Sequence, residues 1–171
     1  YAKTWLLHHA NEPVFEGKTW HSDQDRGRIF CRTLLPEDAA LEPVGGPGKE
    51  FIADDHNWEV APGHLPDEQV PEVMGRWRVE VKPGAERTND VFLHLIQVGD
   101  QSLQSMSDAQ VTTAADGTVL LTFDASGRTV TLLLPTTGDV GGHIRIAEDE
   151  QILVEQPLTQ KVTPQEGIAA Q

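Results

Sequence analysis

Alternation of apolar and polar residues with a period of two is the feature that most constrains the fold of this sequence. In the stretch Arg76–Val81, three apolar side chains share one face of an extended chain and charged side chains occupy the other. Turn residues separate such runs, and a sustained helical period is absent. Nine further runs are predicted to be strands, namely Ala2–His8, Thr19–Ser22, Arg28–Leu35, Asp90–Val98, Gln110–Thr113, Thr118–Phe123, Arg128–Leu134, Gly142–Ala147 and Gln151–Val154. The fold class predicted is therefore all-β, an antiparallel β-sandwich.

Two of these segments carry additional information. Asp90–Val98 has apolar side chains on both faces, which predicts a strand covered on both sides. The runs after residue 109 are joined by Ala115-Asp116-Gly117 and Ala125-Ser126-Gly127, which are hairpin turns and indicate a β-meander.

The length of 171 residues favours one domain spanning residues 1–171. Within it, residues 45–74 are rich in glycine and proline, which predicts a long surface loop. This loop either has a binding or interface role or is a disordered connection. The tail from Pro157 to Gln171 is predicted to be loosely held.

Charge excludes two classes of partner. The chain carries 13 basic and 27 acidic side chains, a net charge of −14, which repels both nucleic acid and anionic lipid. No apolar run approaches the roughly 20 residues that cross a bilayer. We therefore expect neither a nucleic acid nor a membrane partner. The single Cys31 excludes an internal disulfide.

The side chains most like metal ligands lie in the predicted loop and are Asp54, Asp55, His56 and His64. A zinc site needs three or four converging ligands, and these four show no recognised ligand spacing. Solvated loop residues are the favoured reading, so no metal and no cofactor is predicted.

Histidine and cysteine side chains on the strands are more consistent with packing than with catalysis. His8 and His9 are adjacent on one strand and so point to opposite faces, which allows at most one of them to be buried. His94 is expected to be a neutral, hydrogen-bonded core histidine. Cys31 is expected to be a small buried residue. No catalytic residue is predicted.

Trp58, beside Asn57 in the loop, is the tryptophan expected to be exposed and the best candidate for a contact with carbohydrate or another domain. Arg76 and Arg78 are further candidates for that contact. Together with Arg28 and Arg32 they could form a cationic strip on a sheet face, although cross-strand pairing with Glu80 and other acids is the favoured alternative.

Six stretches occur in an order that resembles the β-sandwich region of heparinase II/III-like polysaccharide lyases and their alginate-lyase relatives. They are Lys3–His8, Asn11–Pro13, Arg28–Ala39 (RIFCRTLLPEDA), Val44–Phe51 (VGGPGKEF), Gly75–Pro83 (GRWRVEVKP) and Asp90–Val98 (DVFLHLIQV). The resemblance implies a large enzyme, secreted or periplasmic, in which this chain is a C-terminal part of a larger layered sandwich. Such enzymes cleave uronic-acid-containing polysaccharide, such as glycosaminoglycan or alginate, by β-elimination.

The resemblance also implies that the catalytic Tyr and His lie upstream, and no position here matches them. The chain alone is therefore expected to be inactive, a structural portion of a lyase. The alternatives are a stand-alone carbohydrate-binding module and a small complete enzyme. If the chain is a portion of a lyase, it should leave an apolar sheet face or edge open. The upstream catalytic region or another chain would cover that surface. Polysaccharide is a further candidate partner.

Overall fold

The computed structural model describes residues 2–58, 75–138 and 141–158. All regular structure in these ranges is β-strand, and the sheets are antiparallel, so the prediction of an all-β sandwich fold is confirmed. By its internal contacts the chain divides into two compact units, residues 1–106 and 107–171, which are described separately. The assignment of residues 1–171 to a single domain stays a prediction.

Nine strands lie in the first unit. They are β1 (Trp5–His9), β2 (Val14–Glu16), β3 (Thr19–Gln24), β4 (Gly27–Leu35), β5 (Ala40–Gly45), β6 (Ile52–Ala53), β7 (His56–Asn57), β8 (Trp77–Lys82) and β9 (Leu93–Asp100). The five strands predicted in this part of the chain are all present. The alternation pattern did not indicate β2, β5, β6 or β7, because the first is only three residues long, the second contains a proline and a glutamate, and the last two are dipeptides.

These strands form two main sheets. The first sheet has the order β1-β8-β5, and the second has the order β2-β3-β4-β9. Side chains from both sheets meet in one core, in which Val79 and Val81 of β8 pack with Trp20 of β3 and Cys31 of β4. Burying a side chain of valine size contributes roughly 1.5–3 kcal/mol, so this cluster is the main attachment between the sheets.

The second sheet extends beyond the part that the core covers. Paired residues of antiparallel strands point to the same side, so Trp20, Cys31 and Ile96 share the inner face. Cys31 is 0% exposed, whereas Ile96 is 46% exposed. One pair further along, Ile29 lies opposite Val98, which is 73% exposed. The prediction that this strand is covered on both faces is therefore wrong, because the inner face of the edge strand β9 is exposed at Ile96 and Val98.

The second unit is a five-stranded meander. Its strands are β10 (Ala109–Thr113), β11 (Val119–Ala125), β12 (Arg128–Leu134), β13 (His143–Glu148) and β14 (Gln151–Pro157), paired in chain order. This confirms the predicted meander. One face is apolar and contains the buried Val119, Leu121 and Val130. Glycines with positive φ close its turns, as at Gly117 and Gly127.

The segment predicted to be a long loop contains regular structure in its first half. Strands β6 and β7 form a small hairpin within residues 45–58. The turn between them needs only two residues, Asp54 and Asp55, so a hairpin fits between stretches that look too broken for strands. Residues 59–74 and the tail from residue 159 lie outside the described residues, and the predictions on them stay predictions.

Candidate functional site

A buried imidazole joins the two sheets of the first unit. His9 ends β1 and is almost fully buried, and its Nε2 accepts a hydrogen bond from Nε1 of Trp20 at 3.0 Å. The indole nitrogen is a donor only, so His9 must be neutral with its proton on Nδ1. Burial, helped by the neighbouring His8, lowers the pKa of His9 to about 4. His8 is exposed on the opposite face, as the strand geometry predicts.

A second imidazole, that of His94 on β9, lies in the same inter-sheet region. Its ring stacks on Trp5 with centroids 3.7 Å apart, and its Nδ1 is 3.2 Å from Oγ1 of the buried Thr33. Burial lowers the pKa of His94 to about 4. Its buried Nε2 makes no hydrogen bond within the described part of the chain. The prediction of a neutral, hydrogen-bonded core histidine is confirmed.

These groups are poorly suited to acid–base or nucleophilic chemistry. A general base needs a pKa near the working pH, and burial lowers the pKa of both His9 and His94 to about 4. Burial also raises the pKa of Cys31 to about 12, and its thiol is fully enclosed. Cys31 is thus the small core residue that the sequence predicts.

The arginines do not form the cationic strip considered from the sequence. Arg28 belongs to the second sheet and makes two hydrogen bonds to the carboxylate of Asp23, of 2.6 and 2.8 Å. Arg78 belongs to the first sheet and contacts Glu80 at 2.7 Å. Hydrogen bonds from Lys82 and then Arg78 hold the pKa of Glu80 below its usual range. The alternative of pairing with acids is therefore correct for both arginines, across the strands for Arg28 with Asp23 but within one strand for Arg78 with Glu80.

The candidate contact residues Asn57, Trp58 and Arg78 come together around the β6–β7 hairpin. Arg78 donates a hydrogen bond from Nη1 to the carbonyl oxygen of Ile52 at 2.8 Å, which attaches the hairpin to the first sheet. Oδ1 of Asn57 accepts from the backbone N–H of Phe51 at 2.8 Å. These two side chains therefore hold the backbone of the hairpin.

Trp58 follows the hairpin and is 58% exposed, as predicted from the sequence. The ring of His56 packs against it edge to face, with centroids 4.6 Å apart. Asp54 and Asp55 form the tip of the hairpin and are both exposed. Arg76 lies near enough for its charge to contribute to the lowered pKa of Glu50, although hydrogen bonds to the carboxylate are the larger cause.

The proposed metal candidates do not form a site among the described residues. No three His, Cys, Asp or Glu side chains converge there as metal ligands, and His64 lies outside those ranges. Asp54 and Asp55 are exposed turn residues, and His56 is an exposed residue at the start of β7.

A polar groove of about 650 Å³ lies where the chain enters β1 and leaves β8. Its cations are matched by carboxylates, because Lys3 contacts Asp90 at 2.7 Å and Arg87 contacts both Asp90 and Asp38. Lys82 similarly contacts Glu80 at 2.8 Å. This charge balance stabilises the loop after β8 and leaves no excess positive charge for an anionic ligand.

A second cavity, of about 430 Å³, opens at the uncovered side of the sandwich. It lies between the end of β1, at His8 and His9, and the exposed inner face of the second sheet, at Ile29 and Val98. β1 is an edge strand that pairs only with β8 among the described strands. The unpaired edge of β1 and the exposed apolar residues of β9 therefore belong to the same open side, a feature that strand patterns alone did not indicate.

Comparison with known proteins adds no family assignment: no family model matches the sequence, and no curated protein matches it significantly. Within the described residues there is no helix of the length and apolar character needed to cross a membrane.

Proposed function

We propose that this chain is a non-catalytic, structural β-sandwich portion of a polysaccharide lyase whose full-length form cleaves uronic-acid-containing polysaccharide by β-elimination. One structural observation supports it above the others: the inner-face row of Trp20 and Cys31 continues into the exposed Ile96. Apolar side chains on the inner face of a sandwich are normally covered, so this one fits a sandwich that further strands complete.

The open side also indicates where those strands would pair. Trp5 of β1 lies against His94 near the start of β9, and the end of β1 lines the same cavity as Val98. A strand added to the free edge of β1 would thus be placed over Ile96 and Val98. In this proposal the added strand comes from the upstream catalytic region of the same protein or from another chain.

The lyase assignment itself is supported by the ordered resemblance of residues 3–98. Several of the stretches that carry the resemblance form strands of the core. GRWRVEVKP supplies the central strand β8, and RIFCRTLLPEDA supplies β4 with the buried Phe30 and Cys31. The VGGPGKEF motif holds Gly46, whose φ is +79° and where a Cβ atom would come within 2.6 Å of the ring of Trp77. These are packing roles, which suit a structural portion.

The charge of the chain also supports a structural role here and catalysis in another region of the protein. A net charge of −14 repels a polyanionic substrate, and the cations near the candidate sites are matched by carboxylates. Substrate binding and cleavage then belong to the upstream region. The whole enzyme is proposed to be secreted or periplasmic.

The experiment compares this chain with a longer product that includes the upstream region. Each is incubated with heparin, heparan sulfate, hyaluronan and alginate, and the ultraviolet absorbance of the unsaturated uronate product is followed. We expect the longer protein to be active and the isolated chain to be silent. Cleavage by the isolated chain, or inactivity of the longer protein on every substrate, would contradict the proposal.

A matched pair of variants tests the open side. Val98 and Val14 are both exposed valines on edge strands of the second sheet, but Val14 is on β2, at the opposite edge. We expect Val98→Lys to lower the yield of the folded longer protein, and Val14→Lys to leave it unchanged. Equal effects of the two substitutions would argue against added strands over β9.

A further inference from the structure

His56 and Trp58 form an exposed aromatic pair at the β6–β7 hairpin that does not pack in the core of the sandwich. This pair is therefore the strongest candidate for a further site. Trp58 exposes 58% of its surface, whereas Trp20 is buried, and Trp5 packs against the core. The ring of His56 supports it from one side, edge to face, at 4.6 Å. An indole held in this way offers its remaining surface to a ligand.

The hairpin that carries the pair is well anchored to the first unit. Arg78 bonds to the carbonyl oxygen of Ile52, Asn57 bonds to the backbone of Phe51, and the N–H of Trp58 donates to the carbonyl oxygen of Phe51 at 3.2 Å. Each contact fixes the backbone close to the ring, so the entropy lost on binding a ligand is reduced.

Two carboxylates lie at the tip of the hairpin that carries the pair. The turn places Asp54 and Asp55 at the tip, with φ of 51° and 59°. Non-glycine residues in this left-handed region are uncommon, and an Asn-Gly pair is the usual choice for such a turn. Among the described residues of 45–58, Trp58 is the sole large apolar side chain that is exposed.

This combination points to the kind of ligand. A stable protein interface buries on the order of 800 Å² on each partner around an apolar core, far more than one indole provides. A sugar ring of an oligosaccharide fits better, because its C–H face can lie on a single exposed indole. A uronate would be repelled by Asp54 and Asp55, so the ligand should be uncharged.

We infer that Trp58, supported by His56 on a hairpin whose tip carries Asp54 and Asp55, forms a binding site for an uncharged sugar ring of an oligosaccharide. The inference goes beyond the proposed lyase role and does not depend on it.

The test follows the indole N–H signals of the ¹⁵N-labelled chain by nuclear magnetic resonance. Probes of equal length are cellohexaose and N-acetylchitohexaose, which are uncharged, and hexagalacturonate, which is anionic. Trp58→Phe assigns the Trp58 signal. We expect at least one uncharged probe to shift that signal in a saturable manner, while the signals of Trp5, Trp20 and Trp77 stay in place.

Three variants test which side chains determine the affinity and the charge selectivity of the site. Trp58→Ala should weaken binding at least about tenfold, as truncation of a central aromatic contact usually does. Leu6→Ala, which removes an exposed apolar side chain elsewhere, should leave it unchanged. Asp54→Asn with Asp55→Asn keeps a turn that asparagine tolerates, and should raise the affinity for hexagalacturonate relative to the unaltered chain.

Each remaining outcome overturns the inference. If neither uncharged probe shifts the Trp58 signal, Trp58 is not a sugar-binding site. If hexagalacturonate binds as tightly as the uncharged probes, the site does not select uncharged sugars. If Trp58 becomes inaccessible to acrylamide in the longer protein, the pair is an interface between parts of that protein. None of these results bears on the lyase assay, so the two proposals fail separately.

Discussion

The indole Nε1–H of Trp20 donates a hydrogen bond to Nε2 of His9 over 3.0 Å, across the interior between the two sheets of the first unit. Both residues are buried, Trp20 on β3 and His9 on the edge strand β1. Since the indole can only donate, the bond exists only while Nε2 of His9 is unprotonated. The attachment of β1 to the second sheet therefore depends on pH.

Acid is expected to destabilise the first unit. His9 and His94 have pKa values lowered to about 4 in the folded chain, against 6.5 in the unfolded one. The unfolded state binds more protons below pH 6.5, so the free energy of unfolding falls as the pH drops from 6.5 to about 4. The loss approaches about 1.4 kcal/mol per pH unit for each histidine. Urea unfolding followed by tryptophan fluorescence measures it, since all four tryptophans lie in residues 1–106.

His94→Phe provides the control for this effect. Phenylalanine can keep the stack on Trp5, but it leaves Oγ1 of Thr33 without the imidazole partner, which costs about 1–3 kcal/mol at neutral pH. The variant should lose about half of the histidine contribution to the acid dependence between pH 6.5 and 4. An unchanged dependence would mean that His94 does not titrate as proposed.

His9 and His8 should respond very differently to replacement by alanine. His9→Ala creates a cavity and leaves the buried indole N–H of Trp20 without an acceptor, so we expect a loss of about 2–4 kcal/mol. His8→Ala removes an exposed neighbour on the same strand and should change stability by less than about 0.5 kcal/mol. Urea midpoints at pH 7 measure both, and a large effect of His8→Ala would contradict the burial pattern of β1.

Val98 is expected to contribute little to the stability of the isolated chain. Val98→Ala should cost less than about 0.5 kcal/mol, because the side chain is already 73% exposed. Val79→Ala, in the core, should cost about 1.5–3 kcal/mol. The same urea experiment compares the two. A large cost for Val98→Ala would show that β9 is covered in the isolated chain in solution.

Cys31 should be unreactive until the first unit unfolds. Its thiol is enclosed and its pKa is raised to about 12, so almost no thiolate is present at pH 8. We expect the reaction with an aromatic disulfide reagent to follow the unfolding equilibrium in urea. Rapid reaction of the folded chain would contradict the burial of Cys31.

Much of the fold followed from alternation and turn chemistry. The predicted strands of the meander agree with β10 to β14 because each strand there pairs with the next in sequence, so local turns suffice to define the sheet. The positions of Cys31, His94 and Trp58 were also correctly predicted from their neighbours. In each case the local sequence determines on which side of the strand, or on which turn, the residue lies.

The errors concern features that depend on distant parts of the chain. Asp90–Val98 looked fully covered because alternation reports the character of each face but not the presence of a facing sheet. The strip considered for Arg28 and Arg78 could not be decided from the sequence, because only strand pairing shows that the two arginines lie in different sheets, each beside an acid. The hairpin at residues 52–57 was hidden by the glycines and prolines on either side of it.

The sequence by itself determined the β class, the meander, the exposed tryptophan and the opposite orientation of His8 and His9, because these depend on the two-residue period and on turn residues. Only the tertiary structure decided that β1 and β9 border the same open side, and that His9 meets Trp20. Pairing of strands that are far apart in sequence, as in β1 with β8 and β4 with β9, sets these contacts. Such pairing is a property of the whole core and is not encoded in any one segment.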